Sequence, residues 1–362
     1  MIPAAYVMLS LDALKHNLAQ VRASAPQAKV MAVIKANAYG HGLLRVAHAL
    51  NTVDAFAVAR LAEGIRLREA NMRQRIAVLS GFTCPEELDL LLDYQLDVVV
   101  HSHEQLSYLK QRTETSQLAV WLKLDTGMNR LGFKAAEFDE VYQRLRQCTI
   151  VKQPINIMTH LANADDSNDD STSEQIALFK QTTANIQETG VEYSIANSAG
   201  LLAHPQALSH WVRPGIMLYG ISPFANSTGE QLGLKPVMSL RSRLIVVKPL
   251  AAGEKVGYAG TWQCQKDTLL GVVAVGYGDG YPRHAREGTP VLINGQRVPL
   301  CGRVSMDMIT VDLASLPDAK VGDLVTLWGE GLPVEEIALC ADTIPYTLVC
   351  AVTQRVHFIE AK

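Results

Sequence analysis

KVMAVIKANAYGHG, residues 29–42, sets a single internal lysine between an apolar run and a turn. Val30 to Ile34 read as a strand buried on both faces, the kind found where helices cover a parallel sheet. Asn37, Gly40 and Gly42 break that strand into a turn, after which Leu43, Leu44, Val46, Ala47 and Leu50 recur at the spacing of one helical face. Lys35 therefore falls at the carboxyl end of a buried strand. A lysine there either sends its ammonium to water along its stem, or stays partly desolvated as a neutral, paired or covalently bound amine. The desolvated state is the one carbonyl chemistry uses.

Seven more apolar runs continue the strand-then-helix rhythm: AFAVAR (55–60), RIAVLS (75–80), LDVVV (96–100), LAVWLKLDTG (118–127), PINIMTHL (154–161), EYSIANS (192–198) and WVRPGIMLYG (211–220). Pro85 opens one of the intervening helices, at a position where a missing N–H does no harm. Eight such units predict an α/β fold, a closed parallel (β/α)8 TIM-type barrel. In that architecture active sites gather at the carboxyl ends of the strands, and phosphate sites favour the loops after strands seven and eight. The polar residues follow this rule. Lys35 ends the first run, Lys123 and Arg130 lie at and after the fifth, His160 ends the sixth, Asn197 and Ser198 end the seventh, and Arg213 to Ile216 belong to the eighth.

A short strand, Ala5 to Ser10, and a helical pattern of Leu11, Leu14, Leu18 and Val21 precede the barrel, the strand being free to join a sheet elsewhere. After about Gly233 strands recur without helices between them: RSRLIVVKPL (241–250), LLGVVAVGYGDG (269–280), a hairpin PVLINGQRVPL turning at Asn294-Gly295, MDMITVDL (306–313) and LVTLWG (324–329). The expected organisation is a barrel domain over 1–232 and an all-β domain over 233–362.

At 362 residues the chain exceeds one ordinary domain, and 48% hydrophobic with 19% charged residues supplies a packed core and argues against disorder. A net charge of -3 without a basic stripe points away from nucleic acid and toward a small-molecule partner. Six cysteines, at 84, 148, 264, 301, 340 and 350, form no CxxC pair or zinc-ligand spacing and read as reduced thiols. No metal site is expected. The polar stretch Asn163 to Glu174 reads as a solvated loop leading into a helix, and His101 and His103 as surface residues. MIPAAYVML lacks the basic start of a signal peptide, and no run is long enough to span a bilayer, so a cytoplasmic, non-membrane protein is expected.

The undecapeptide AVIKANAYGHG (32–42) resembles the pyridoxal 5'-phosphate attachment segment of the alanine racemases. At least five further motifs occur in family order, so that the resemblance spans nearly the whole chain. It implies that Lys35 carries the cofactor covalently and that Tyr39 helps hold its phosphate, together with Ser198, the N–H groups of Gly215 and Ile216, and Tyr346 of the late IPY motif, with Asn197 also at the cofactor. In VGYAGTW (256–262), Tyr258 matches the tyrosine that serves as the second proton carrier in that family. To act near neutrality its phenol must be lowered by roughly two or three pKa units, about 3 to 4 kcal/mol of differential interaction, which calls for basic neighbours such as His160.

Arg213 matches the arginine that faces the cofactor's ring nitrogen and leaves it without a proton, which weakens the ring as an electron sink. Arg130, in WLKLDTGMNRLG (121–132), matches a residue that contacts the cofactor's phenolic oxygen and orients substrate carboxylate, and Lys123 a position often carbamylated. Met306, in CGRVSMDM (301–308), narrows the family's substrate pocket; Ser305 departs from the commoner cysteine there. Tyr277, Arg283 and Arg303, together with Asp165, match the pocket entrance. The resemblance further implies a homodimer whose sites are shared between subunits, acting on L- and D-alanine.

Two other readings differ by identifiable features. A fold-related amino-acid decarboxylase would place a carboxylate near the ring nitrogen, where this chain has Arg213. A non-catalytic cofactor-binding barrel would lack the second domain that carries Tyr258.

Overall fold

The computed structural model describes residues 4–113, 117–166 and 168–361. Met1 to Pro3 of the amino-terminal run and Ser167 of the polar stretch lie outside them. The chain divides into two compact units: residues 18–38 with 42–218, and residues 1–17 and 39–41 with 219–362.

The first strand, β1 (Tyr6–Leu9), belongs to the second of these units, and the barrel begins with β2 (Lys29–Val33). Its remaining strands are β3 (Ala55–Val58), β4 (Arg75–Val78), β5 (Asp97–Val100), β6 (Leu118–Asp125), β8 (Val151–Met158), β9 (Tyr193–Ser194) and β10 (Trp211–Val212), with the short β7 (Phe133–Lys134) alongside β6. All pair in parallel. Closure is seen at two seams, where Val99 lies opposite Trp121 and Val212 opposite Val30. This is the expected eight-stranded barrel with helices between its strands. The helix Leu43–Ala49 buries Leu43, Val46 and Ala47, the anticipated face, and Pro85 occupies the first turn of Pro85–Asp93.

A packed layer floors the barrel. The Arg75 guanidinium lies 5.7 Å from the ring centre of Trp121 and 5.5 Å from that of Trp211, and pairs with Asp97 at 2.6 Å. Burial pushes the Asp97 carboxyl upward, against the pull of Arg75. Arg75, Asp97 and Trp211 each open their strand, on the amino-end face of a barrel where polar networks serve stability.

The other unit is mostly strand. β11 (Met238–Leu250) is its spine, followed by β12 (Lys255–Val256), β13 (Trp262–Gln263), β14 (Thr268–Val273), β15 (Pro290–Ile293), β16 (Gln296–Pro299), β17 (Ile309–Asp312), β18 (Leu324–Trp328) and β19 (His357–Glu360). β11 pairs antiparallel with β1, β14 and β18. Asn294 and Gly295, at φ 47° and 82°, turn the β15–β16 hairpin as the sequence predicts.

Two features go beyond the sequence reading. Helices Val334–Cys340 and Pro345–Ala351 interrupt what was expected to be purely β, since short apolar stretches do not distinguish buried helix from strand. The amino-terminal strand, placed by sequence in a lead-in to the barrel and left free to join a sheet elsewhere, is an inner strand of the second unit's sheet, between β11 and β19. Pairing on both sides satisfies its backbone groups, which local sequence could not assign.

Candidate active site

Lys35 follows β2 by two residues and is half-buried. Its backbone is held from upstream, where Ile34 N–H donates to Ala57 O at 2.9 Å and Val33 N–H to Pro214 O at 2.9 Å. Downstream the chain takes an unusual course. Ala36, Asn37, Ala38 and Tyr39 all have φ between 52° and 55°, a left-handed turn built without glycine, closed by Ala38 N–H to Ile34 O at 2.9 Å. Each such residue costs about 1–2 kcal/mol, so the surroundings must hold the turn in place. Asn37 does part of this, accepting Leu43 N–H through Oδ1 at 2.9 Å and Gly42 N–H through its carbonyl at 2.9 Å.

Within the barrel unit the chain collects positive charge around Lys35. Burial, then the cations of Arg213, Arg130 and Lys35, pull the Lys123 amine down to about 7, against the opposing pull of Asp125. Burial and the charges of Arg213, Lys123, Arg130 and Lys35 hold the His160 imidazole well below its ordinary pKa. Its ring is therefore neutral near pH 7, and not the basic neighbour that the sequence led one to expect of it. The neighbouring carboxylate is already engaged: Asp125 accepts from Lys134 Nζ at 2.6 Å, Gly127 N–H at 3.1 Å and Asn129 N–H at 3.0 Å, and so shapes the loop that carries Arg130.

Arg213 is buried at 4% exposure, and burial lowers its pKa to about 10. Its Nη1 donates to Ser194 Oγ at 2.5 Å and its Nη2 to the carbonyls of Thr159 at 2.5 Å and Ile195 at 3.2 Å. None of these bonds uses Nε. The neighbouring loops meet where Ser198 Oγ accepts Gly215 N–H at 2.9 Å, so that this N–H already has a protein acceptor. Asn197 begins the helix Ser198–Ala203, its Oδ1 accepting Gly200 N–H at 2.9 Å, and Ile216 is buried beside Gly215.

The structure thus brings Lys35, Lys123, Arg130, His160 and Arg213 within electrostatic range of one another and sets Ser198 against Gly215. The donors suit an anionic ligand: a concentration of cations whose nearby carboxylate is spent on its own loop. Pyridoxal 5'-phosphate, with a dianionic phosphate, a phenolic oxygen and an aldehyde for an amine, fits that donor set.

In the other unit Tyr39 is buried, its ring 4.8 Å from that of Tyr219 and 5.9 Å from that of Tyr346. Burial raises the Tyr39 phenol above its usual range, with Tyr346 and Cys350 adding to the shift, so it remains a hydrogen-bond donor. The chain turns directly after it at Gly40, φ 81°, where a Cβ would stand 2.1 Å from Val349 O. Tyr258 sits on a tight turn, Tyr258–Gly260, held out by the β12–β13 pair, and is 68% exposed. Met306, 53% exposed, lies on a loop whose carbonyls from Ser305 and Met306 accept the N–H groups of Tyr277 and Gly278.

The Ser305 hydroxyl donates to Met308 O at 2.7 Å and accepts Met308 N–H at 3.1 Å, so the serine at this departure from the usual motif braces its own loop. Arg303 lies in the same segment, beside Gly257. Arg283, also of this unit, and Asp165, in the barrel unit, enter none of the bonds described above. Sequence reasoning did not single out Ser194, Thr159, Asp125 or Tyr219. Each is an ordinary strand or loop residue until folding sets it against a functional one. Among the described residues no cluster of three or more His, Cys, Asp or Glu could hold a metal ion, no helix is long and apolar enough to cross a membrane, and the six cysteines are free thiols.

The profile described as "Alanine racemase, N-terminal domain" matches residues 9–223, and "Alanine racemase, C-terminal domain" matches residues 237–360. The chain is 50% identical over 357 residues to an alanine racemase of Coxiella burnetii, with 97% of each covered. It is 51% identical over 349 residues to that of Nitrosococcus oceani, covering 96% of this chain and 97% of the relative. It is also similar to the solved structure of a biosynthetic alanine racemase from Pseudomonas aeruginosa, with TM-score 0.96, 42% identity and 100% of both chains covered. An alanine racemase from Bartonella henselae with covalently bound pyridoxal phosphate aligns at TM-score 0.89 and 28% identity, over 99% of this chain and 100% of that one.

Proposed function

Because this chain belongs to the alanine racemase family, whose members are isomerases, we propose that it interconverts L- and D-alanine with pyridoxal 5'-phosphate held on Lys35. The observation that carries this reading is the cluster of Lys35, Lys123, Arg130, His160 and Arg213 around the end of one barrel strand.

Pyridoxal phosphate, when bound, withdraws the electrons that make the α-proton of alanine removable. Lys35 would hold it through its amine, Tyr39, Ser198, Ile216 and Tyr346 would hold its phosphate, Gly215 would join them only by giving up its bond to Ser198 Oγ, and Asn197 would sit beside it. Arg213, whose Nε–H lies outside the bonds to Ser194, Thr159 and Ile195, would donate to the ring nitrogen. A permanent guanidinium there would keep that nitrogen unprotonated and so limit side reactions. Arg130 orients the substrate carboxylate, and Met306 narrows the pocket.

Inversion requires proton transfer on opposite faces of the reacting carbon, and one amine reaches only one face. Lys35 Nζ takes or returns the proton on one side, and Tyr258 of the partner subunit serves the other. The neutral His160 imidazole can hydrogen-bond a phenol without adding charge. A homodimer follows from this division of labour. The exposure of Tyr258, Met306 and Tyr277 in the single chain is what a surface destined for a second copy presents. Lys123, its amine near 7, can take up carbon dioxide as a carbamate with release of a proton, giving an anion to brace Arg130. The protein works in the cytoplasm on alanine, making D-alanine for peptidoglycan precursors or running in reverse in alanine catabolism.

The test is incubation of purified protein with L-alanine in deuterated water, following chirality and mass together. D-alanine carrying deuterium at the α-carbon is expected. Optically unchanged, unlabelled alanine overturns the reading.

A further inference from the structure

Glu63 stands at the start of the helix Leu61–Glu69 and uses its two carboxylate oxygens differently. Oε2 accepts the N–H groups of Ala59 at 3.1 Å and Arg60 at 3.2 Å, satisfying the helix start. Oε1 reaches to another element and accepts the N–H of Asn37 at 3.3 Å. Asn37 is the second residue of the left-handed turn that follows Lys35. Its carbonyl, side-chain oxygen and amide are all tied, to Gly42, Leu43 and Glu63 respectively. Of these ties the one to Glu63 is charge-assisted and comes from outside the turn.

Residues 36 to 39 have no glycine to make the left-handed conformation free, and the ordinary right-handed basin competes with it. Were the turn to relax, the Lys35 backbone would keep its upstream anchors at Ile34 and lose its downstream ones, and the direction of its side chain would change. Resting on the reading that Lys35 carries the cofactor, we propose that Glu63 is a positioning residue: it locks the left-handed turn through Asn37 and thereby holds Lys35 in its cofactor-binding direction.

A mere helix-capping role makes different predictions from this one, and Ala36 separates them. At φ 54°, ψ 53° a glycine is unstrained, so Ala36→Gly relieves the turn while leaving the helix start at Glu63 untouched. The experiment compares the holoenzyme with its Glu63→Ala, Glu63→Gln and Glu63→Ala/Ala36→Gly variants. It measures the rate of cofactor release into an apo-protein trap and amide exchange over residues 35–43 and 59–69. Borohydride reduction with peptide mapping of the unsubstituted protein serves as the control: cofactor fixed on another residue, or on none, overturns the reading of Lys35 itself.

With Lys35 labelled, Glu63→Ala is expected to release cofactor about tenfold faster and to speed exchange at 35–43, the scale of one charge-assisted bond. Adding Ala36→Gly should recover much of both. Glu63→Gln, with one carbonyl oxygen for two tasks, should fall between and covers the case in which Glu63→Ala fails to fold. Unchanged release with faster exchange only at 59–69, or faster release that Ala36→Gly does not correct, overturns the proposal.

Discussion

Arg213 Nη2 donates to the carbonyl oxygen of Thr159 at 2.5 Å, joining the residue after β10 to the residue after β8. Neither is near the other in sequence, and β9 supplies a third point of attachment through Ser194 Oγ. The guanidinium is thus a structural tie across three strand ends.

Substituting Arg213→Lys should therefore cost stability as well as activity. One ammonium cannot serve Ser194 Oγ, Thr159 O and Ile195 O in the same geometry, and each buried acceptor left without a donor costs about 1–3 kcal/mol. Urea unfolding should show a lower midpoint by an amount corresponding to about 2–4 kcal/mol in total. A midpoint equal to that of the unsubstituted protein would mean that the tie contributes nothing.

Lys123 makes stability depend on pH in a definite direction. Its folded pKa is about 7, below the roughly 10.4 of an unfolded lysine, so between those values the unfolded chain binds the extra proton. The contribution of this group to stability therefore rises with pH from about 7 to about 10, by at most about 1.4 kcal/mol per pH unit. In buffers free of carbon dioxide, the stability difference between Lys123→Met and the unsubstituted protein should shift in that sense from pH 7 to pH 9. A flat difference contradicts it. With ¹³C-labelled bicarbonate added, a carbamate signal should appear that Lys123→Met lacks.

If Lys35 and Tyr258 are the proton carriers proposed above, Lys35→Ala should lose the visible absorption of lysine-bound cofactor, while Tyr258→Phe should keep the absorption and lose interconversion. Neither homodimer is active on this view. Mixing the two after subunit exchange should restore part of the activity, since one site of each heterodimer then holds an intact pair. Demonstrated exchange with no recovery would argue for self-contained subunits, and an active Tyr258→Phe protein would remove the phenol from the chemistry.

Gly40→Ala should be among the more damaging small substitutions. The new Cβ would stand 2.1 Å from Val349 O, and φ 81° is strained for alanine. Backbone must move, at a cost of about 2–4 kcal/mol when overpacking and strain are combined. Differential scanning calorimetry that finds an unaltered melting temperature would refute this.

Much of the architecture was legible because strand and helix periodicities are carried by consecutive residues. Val30 to Ile34, followed by the face of Leu43, Val46 and Ala47, already specifies a buried strand and a covering helix, and eight such pairs leave barrel closure as the natural way to bury every strand on both sides. The candidate site was legible for a related reason. Lys35, Lys123, His160 and Arg213 follow apolar runs, and strand ends of a parallel barrel share one rim.

What the sequence by itself determined was the barrel, the succession of strands after it, and the rim on which the basic residues stand. Only the tertiary structure decided that β1 pairs with β11 and β19, that Arg213 is held by Ser194 and Thr159, that Tyr258 stands on a hairpin turn, and that Asn37 leans on Glu63. The division has a physical basis: periodicity and turn chemistry act between near neighbours along the chain, whereas a buried acceptor takes whichever donor the folded chain returns to it, however far away in sequence.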